Sequence, residues 1–116
     1  METYKVVFHI TDLEKWDSLL TTVSNLLKDM ADTPIEIEII ANGQAVSFYD
    51  STTNVETNFS KLAKIDEENV KIVACNNALN AHGVAKETLY SFIHVVPAGV
   101  SELVKKQNEG YAYIRI

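Results

Sequence analysis

Cys75 is the residue best suited to chemistry, because it is the only cysteine among 116 residues and it follows a β-branched, apolar run. The run Val70–Ala74 predicts a buried strand, and Asn76 and Asn77, directly after the cysteine, are typical of a helix start. The first turn of a helix offers free backbone N–H groups and a positive dipole end, and both favour a thiolate over a thiol. A reactive cysteine fits this position. Free cysteines are often small buried hydrophobic residues, so a structural role also fits, and both interpretations stay open.

The strands that would position this cysteine are predicted from β-branched and apolar runs separated by turn residues. There are five such runs: Tyr4–Ile10, Ile35–Ala41, Val70–Ala74, Ile93–Val96 and Tyr111–Ile116. Within the second run, Glu36 and Glu38 alternate with isoleucines, so one face of that strand is expected to reach water, near a sheet edge or at a subunit interface. The third run is apolar on both faces, which is typical of a parallel sheet covered on both sides.

Helices are predicted between the strands, from apolar residues spaced three and four apart. The first runs from Leu13 to Met30, and the second has a buried face of Val55, Phe59, Leu62 and Ala63. Their starts carry candidate capping boxes, Thr11 with Glu14 and Thr53 with Glu56. Shorter helices are predicted at Asn77–Ala81 and Val100–Asn108, with one further turn at Lys86–Tyr90. Alternating strands and helices predict an α/β fold with a mainly parallel five-stranded sheet, in one domain over residues 1–116.

Ligands of such folds bind at the carboxyl ends of the strands, so the residues that follow each run form the candidate site. They are Cys75 with His9, Thr11, Asn42, Gly43, Asn76, Asn77, Pro97, Ala98 and Gly99. Each has a purely structural alternative. Thr11 fits a helix cap, Asn42-Gly43 a turn, and Gly99 a packing glycine, while His9 fits a buried histidine bonded to the backbone.

Composition and missing motifs exclude several functions. A net charge of −6 argues against binding of nucleic acid or an anionic membrane, and no run is long enough to span a bilayer. The absence of a signal peptide and of a second cysteine favours a cytoplasmic, reduced location without disulfides. No glycine-rich phosphate motif and no metal-ligand spacing is present, so no cofactor and no metal are predicted. A Cys–His hydrolase would require His9 or His82 beside Cys75.

Three segments in order resemble a known family: KIVACNNAL at residues 71–79, HGV at 82–84, and VVPAGVSELVKKQNEGYAYI at 95–114. Together with the opening KVVFHI, they resemble the DsrE/DsrF-like family of small sulfur-relay proteins. The resemblance implies a three-layer α/β/α sandwich of flavodoxin-like appearance and assembly into trimers or hexamers. It also implies that Cys75 carries a persulfide between sulfur donor and acceptor proteins.

Two functions are therefore weighed. In the first, the protein is a sulfur carrier or sulfurtransferase-like protein with Cys75 as nucleophile, Asn76 and Asn77 beside its sulfur, and Gly99 shaping the pocket. In the second, it is a non-catalytic oligomeric module that binds a small anionic or thiol ligand, and Cys75 is unreactive. Four aromatic residues near loops or an edge strand are interface anchors or ordinary core: Phe48, Tyr49, Tyr111 and Tyr113.

Overall fold

The computed structural model describes residues 2–53 and 55–116, without the side chain of Val55. The strands of this part are β1 (Tyr4–Ile10), β2 (Ile35–Ala41), β3 (Lys71–Cys75), β4 (His94–Val96) and β5 (Ala112–Arg115). The α-helices are α1 (Trp16–Asp29), α2 (Val55–Glu67), α3 (Asn76–Ala81) and α4 (Gly99–Asn108). Short 3-10 helices cover Leu13–Lys15, Gly43–Tyr49 and Lys86–Thr88. The predicted strands are all present: β1 and β2 have the predicted bounds, and the ends of the other three differ by at most one residue.

The five strands form one sheet in the order β4-β3-β2-β1-β5, and every neighbouring pair is parallel. From β1 to β4 the chain moves one strand at a time in a single direction, so right-handed connections place α1, α2 and α3 on the same face. The last connection returns across the sheet to the far side of β1, which places α4 on the opposite face. The predicted α/β architecture is confirmed, with helices on both sides of a parallel sheet.

The face under α1, α2 and α3 carries the larger hydrophobic core. Trp16 and Leu19 of α1 are almost fully buried there against Phe8 and Ile39 of the central strands. The segment after β2, read from the sequence only as a turn, is a buried 3-10 helix whose Phe48 stacks on Trp16 at 4.6 Å between ring centroids. The indole Nε1 of Trp16 donates to the carbonyl of Ala45 at 2.9 Å, which satisfies its one polar atom.

The opposite face is covered more thinly, by α4 alone. The buried residues of α4 are Gly99 and Leu103, and Leu103 packs on Val7, Ile40 and Val73 of the three central strands. On the outer side of α4, Val100 and Val104 remain 66% and 63% exposed.

The predicted helix starts need correction. Asp12 rather than Thr11 precedes the first helical turn and makes no side-chain cap, so the Thr11–Glu14 capping box is wrong. Asp12 instead lies 3.4 Å from the ammonium group of Lys15. The second capping box surrounds residue 54, and with the side chain of Val55 it lies outside the described residues.

Phe59 was placed on the buried face of the second helix, and this is wrong. Its side chain is 45% exposed, while Leu62 of the same helix is fully buried. The ring of Phe59 contacts Tyr90 edge-on at 5.4 Å between centroids, so the position serves an aromatic cluster at the surface and not the core.

Glu38 also contradicts its prediction. Strand β2 lies in the middle of the sheet, not near an edge, and Glu38 is only 2% exposed beneath α4, while Glu36 is exposed. Its Oε1 atom lies 3.6 Å from the Nζ of Lys71 and 3.8 Å from that of Lys106. Burial, followed by the neighbouring carboxyl of Glu102, raises the pKa of Glu38 from 4.5 to about 7, and the two lysines oppose this only in part.

We therefore expect Glu38 to make folding stability depend on pH. Because the pKa of Glu38 is higher in the folded state, the folded protein binds more protons than the unfolded protein between about pH 4.5 and 7. The stability that this proton binding contributes is lost as pH rises through about 7. One pKa unit is worth about 1.4 kcal/mol. Lysines and solvent screen the charge of Glu38, so the full shift is not expected. As pH rises from about 5.5 to 8, the free energy of unfolding of Glu38→Gln should increase relative to that of wild type by on the order of 1–2 kcal/mol.

Urea unfolding at the two pH values measures this difference. Glu36→Gln is the matched control, because that glutamate lies on the same strand but is exposed. If Glu38→Gln and Glu36→Gln follow the same pH dependence, Glu38 is not a buried acid.

Candidate functional site

Cys75 lies at the edge of the sheet where all the parallel strands end. It is the last residue of β3 and directly precedes α3, so it occupies the junction that the sequence predicts. Its backbone is extended, with φ −78° and ψ 118°, and its side chain makes no capping hydrogen bond to the helix. The thiol is free and the residue is 6% exposed, which makes Cys75 a buried cysteine at the mouth of the site.

The backbone of Gly99 packs directly on Cys75. Cys75 pairs with Val96 of β4, so the loop that leads into α4 begins beside the cysteine. A Cβ atom added to Gly99 would stand 3.2 Å from the Cβ of Cys75 and 3.4 Å from the Cγ2 of Ile40. The first distance is tighter than most carbon contacts in proteins, so a larger residue here would press on Cys75, and glycine permits the close approach.

Asn42 stands on the other side of Gly99. Its Cβ lies 3.7 Å from the same point, so the Cβ atoms of Cys75 and Asn42 both flank the glycine. The Oδ1 atom of Asn42 lies 3.1 Å from the Nε2 of His9, and the Nδ1 of His9 lies 2.7 Å from the hydroxyl of Tyr113. An amide oxygen only accepts, so Nε2 carries the ring proton and Nδ1 accepts from the tyrosine hydroxyl.

His9 is therefore a neutral, fixed side chain. Burial lowers its pKa below 6.5, the hydrogen bond to Asn42 opposes this, and the positive charge of Arg115 lowers the pKa further. The prediction that His9 is buried is right, but its partners are side chains and not the backbone. Both ring nitrogens are occupied by groups other than the thiol, and His82 is exposed at the far end of α3. The described structure thus assembles no Cys–His pair.

Thr11 and Gly43 contact each other at the neighbouring loops. Gly43 has φ +56°, and a Cβ there would lie 2.7 Å from the Cγ2 of Thr11, so this glycine is needed for both its conformation and its space. The carbonyl of Thr11 accepts from the backbone N–H of Ala45 at 3.1 Å. These residues join the ends of β1 and β2 and hold Asn42 in place.

The other predicted site residues differ in their surroundings. Asn76 is half-buried, and its Oδ1 atom is buried without a hydrogen-bond partner among the described residues. Asn77 and Pro97 are exposed, while Ala98 directly precedes α4 and its carbonyl accepts from the N–H of Glu102 at 3.3 Å. The structure thus brings Cys75, Gly99, Asn42 and His9 together and leaves Asn77 and Pro97 at the surface.

Sequence reasoning missed the role of Tyr113. It lies on edge strand β5 beside Val7 of β1, and its hydroxyl reaches a histidine 104 positions earlier in the chain. Only the pairing of β5 with β1 reveals this contact. Two other aromatics weighed as interface anchors, Phe48 and Tyr49, are 8% and 0% exposed and belong to the core.

The structure has a cavity beside the site and a larger one away from it. One of about 210 Å³ adjoins the start of α4 and is lined by Val96, Pro97, Ala98, Ser101, Glu102 and Lys105. Another of about 700 Å³ lies between α1 and α2, on the opposite face of the sheet from α4, with Leu20, Leu27 and Ile65 among its lining residues. Neither a cysteine nor a histidine lines the larger cavity, so volume alone does not locate the thiol chemistry.

Within residues 2–53 and 55–116, no group of three or more histidine, cysteine or acidic side chains is placed to bind a metal ion. Over the same residues, no helix combines the length and the apolar character that crossing a membrane requires.

Several solved structures share this fold. A protein of unknown function, MTH1491 from Methanobacterium thermoautotrophicum, is 32% identical with a TM-score of 0.86, over 97% of this chain and 99% of its own. The ychN protein from E. coli is 12% identical with a TM-score of 0.73, over 99% and 100% of the two chains. BT1422 from Bacteroides thetaiotaomicron, a conserved protein of unknown function, is 20% identical with a TM-score of 0.69, over 97% and 94%.

No curated protein sequence matches the chain significantly. The DsrE/DsrF-like family matches residues 5–116, which include the carboxyl end of every strand. The two structures below 25% identity establish the fold, and the family match establishes the kinship. This chain belongs to the DsrE/DsrF-like family.

Proposed function

We propose that this protein is a sulfur carrier in which Cys75 accepts the outer sulfur atom of a persulfide and passes it to an acceptor thiol. The observation that carries the proposal is the place of the chain's single cysteine. It ends β3 at the carboxyl edge of the sheet, beside Gly99 and Asn42, in a chain of the DsrE/DsrF-like family.

One cysteine is sufficient for this transfer. The Cys75 thiolate attacks the outer sulfur of a donor persulfide, a new S–S bond forms on Cys75, and the donor S–S bond breaks to release the donor thiolate. The proton of the terminal sulfur stays on that sulfur. In the second step an acceptor thiolate attacks the same outer sulfur, and Cys75 leaves again as a thiolate. No net oxidation or reduction occurs.

The neighbours of Cys75 suit a bound sulfur. Gly99 has no side chain, so it leaves room over the cysteine that any other residue would fill. Asn76 directly follows Cys75, and its buried Oδ1 has no hydrogen-bond partner among the described residues, so it would accept a hydrogen bond from a persulfide S–H that approached it. Asn42 has its oxygen bound by His9, which fixes the amide so that its NH₂ group is the end left free to donate.

A second candidate is a binding module in which Cys75 is not reactive. The observation that favours it is burial: the residue is 6% exposed, as a structural cysteine would be. In that case the carboxyl edge would hold a small anionic or thiol ligand without covalent chemistry.

Location and assembly complete the proposal. A cytoplasmic location suits a free thiol, because thiols stay reduced there. Assembly into a homotrimer or homohexamer would cover the outer side of α4, where Val100 and Val104 are exposed one turn apart. Separate donor and acceptor proteins would bind at the carboxyl edge of the sheet, which assembly leaves open.

The first prediction concerns sulfur loading. After incubation with a small-molecule persulfide donor, we expect the intact mass of the wild-type protein to rise by one sulfur atom, reversibly with reductant, because Cys75 is its only thiol. Cys75→Ser should gain nothing. A wild-type protein that gains no sulfur, yet whose Cys75 is readily alkylated after unfolding, would favour the binding module.

The second prediction concerns Gly99. A Cβ at this position would press on Cys75 and Ile40, so we expect Gly99→Ala to lose about 1–3 kcal/mol in urea unfolding and to load sulfur more slowly. Ser101→Ala is the matched control, since this exposed residue lies in the same helical turn. Equal stability and loading in the two variants would show that the close approach of Gly99 is unimportant.

The third prediction concerns assembly. Light scattering at micromolar concentration should give a trimer or hexamer, and the double variant Val100→Lys, Val104→Lys should lower that mass, because it places charges on an apolar interface. Leu13→Lys, at an apolar position that is 39% exposed and lies outside α4, should leave the mass unchanged. A 13.0 kDa monomer of the wild type would contradict the proposal.

A further inference from the structure

Few apolar contacts hold the helix that covers Cys75. Leu103 is the buried side chain of α4, and the hydrophobic cluster it joins has three other fully buried members, Val7, Ile40 and Val73. Segments with little buried apolar area open at a lower free energy than the rest of a protein. Electrostatic contacts beneath α4 therefore have a large influence on whether it stays closed.

The main electrostatic contact is that between α4 and Glu38. Glu38 is 2% exposed, and its Oε1 faces Lys71 and Lys106 at 3.6 and 3.8 Å. Its Oε2 has no hydrogen-bond partner among the described residues, although the carboxyl of Glu102 on α4 is its neighbour. When protonated, Oε2 would donate a hydrogen bond to the carboxyl group of Glu102 and would no longer lack a partner. Without the proton, a buried anionic oxygen faces a second carboxylate.

We propose that the Glu38–Glu102 pair is a proton-dependent contact that keeps the first turn of α4 closed over Cys75 and opens it when the shared proton is lost. With the proton, the two carboxyl groups are joined by a hydrogen bond. Without it, repulsion and the need to hydrate Oε2 favour lifting of α4 from the sheet. The raised pKa of Glu38, about 7, places this change near neutral pH.

The first turn of α4 connects this pair to the cysteine. Gly99, whose backbone packs on Cys75, begins the helix, and Glu102 lies one turn later. The N–H of Glu102 donates to the carbonyl of Ala98, so the carboxyl group and the glycine belong to one hydrogen-bonded turn. A shift of Glu102 away from Glu38 would therefore move the backbone that covers the thiol.

Charged groups from every neighbouring element face this contact. Lys106 and Lys71 offset part of the negative charge, but both reach the Oε1 side of Glu38 and leave Oε2 unpaired. Among the described residues, the charged and titratable groups on this face include Lys5 of β1, Glu36 of β2, Lys71 of β3, Glu102, Lys106 and Glu109 around α4, and Tyr111 before β5. Among these groups, Glu102 is the one that stabilises the protonated form of Glu38 by a hydrogen bond.

If Cys75 carries sulfur as proposed, the opening of α4 would let pH regulate access to the sulfur-carrying thiol. Only this consequence rests on the proposed function. The opening itself is measurable with a small neutral electrophile, whether or not Cys75 carries sulfur. Failure of the sulfur-loading experiment and failure of this one are therefore distinguishable.

The test is the rate of Cys75 alkylation by iodoacetamide as a function of pH, in wild type and in Glu38→Gln. Dividing the wild-type rate by the Glu38→Gln rate at each pH cancels the pH dependence that the two proteins share, so this ratio isolates position 38. We expect a ratio near one at about pH 5.5 that rises to about three- to tenfold by pH 8.5, because only the wild type opens. A carboxylate acting only through its field would disfavour the thiolate and push the ratio below one.

Glu102→Gln should remove the rise in alkylation rate with pH that opening of α4 causes, as Glu38→Gln does. The second variant keeps the test valid if the first one folds poorly. Glu36→Gln, on the exposed part of the same strand, should behave as wild type. Hydrogen exchange of the amides in the first turn of α4 should accelerate above neutral pH in wild type alone. A rate ratio that stays flat or falls, with unchanged exchange in α4, would overturn the inference.

Discussion

The contact between the backbone of Gly99 and the side chain of Cys75 determines the arrangement of the whole site. It forms because the chain leaves β4, crosses the sheet and returns to the far side of β1, which sends α4 alone over one face. That path brings the start of α4 over the ends of β2 and β3. Asn42 and Cys75 then flank a residue that has no side chain, and a Cβ at that position would press on Cys75.

A chain of polar side chains stabilises one side of this contact. Tyr113 donates to His9, and His9 donates to Asn42, so a residue of the edge strand fixes the orientation of an amide beside the cysteine. The ring of His9 stays neutral because burial and Arg115 both lower its pKa. The histidine thus positions Asn42 and does not act as a base for the thiol of Cys75.

Local patterns predicted much of this architecture. The strand before Cys75, the helix after it and the glycine at the start of α4 are all encoded within a few residues, so periodicity and turn residues reveal them. The parallel sheet follows from the alternation of elements. These features position Cys75 and Gly99 at one edge, which is the part of the site that sequence reasoning reached.

The features that were missed depend on residues far apart in the chain. The Tyr113–His9 bond joins positions 104 apart, and the burial of Glu38 depends on α4 crossing a strand whose glutamates alternate as in a solvated strand. The buried 3-10 helix after β2 exists because Phe48 and Tyr49 pack on Trp16, which outweighs the local turn signal at Asn42-Gly43. Tertiary contacts decide each of these cases.

The central claim is that Cys75 both takes up sulfur and gives it away. The most direct measurement is single-turnover release: protein loaded with radioactive sulfur is separated from the donor and mixed with an excess of a small acceptor thiol. The account predicts that the label moves to the acceptor and that the free thiol of Cys75 reappears at the same rate. Label that stays on the protein, or that binds equally to Cys75→Ser, would contradict it.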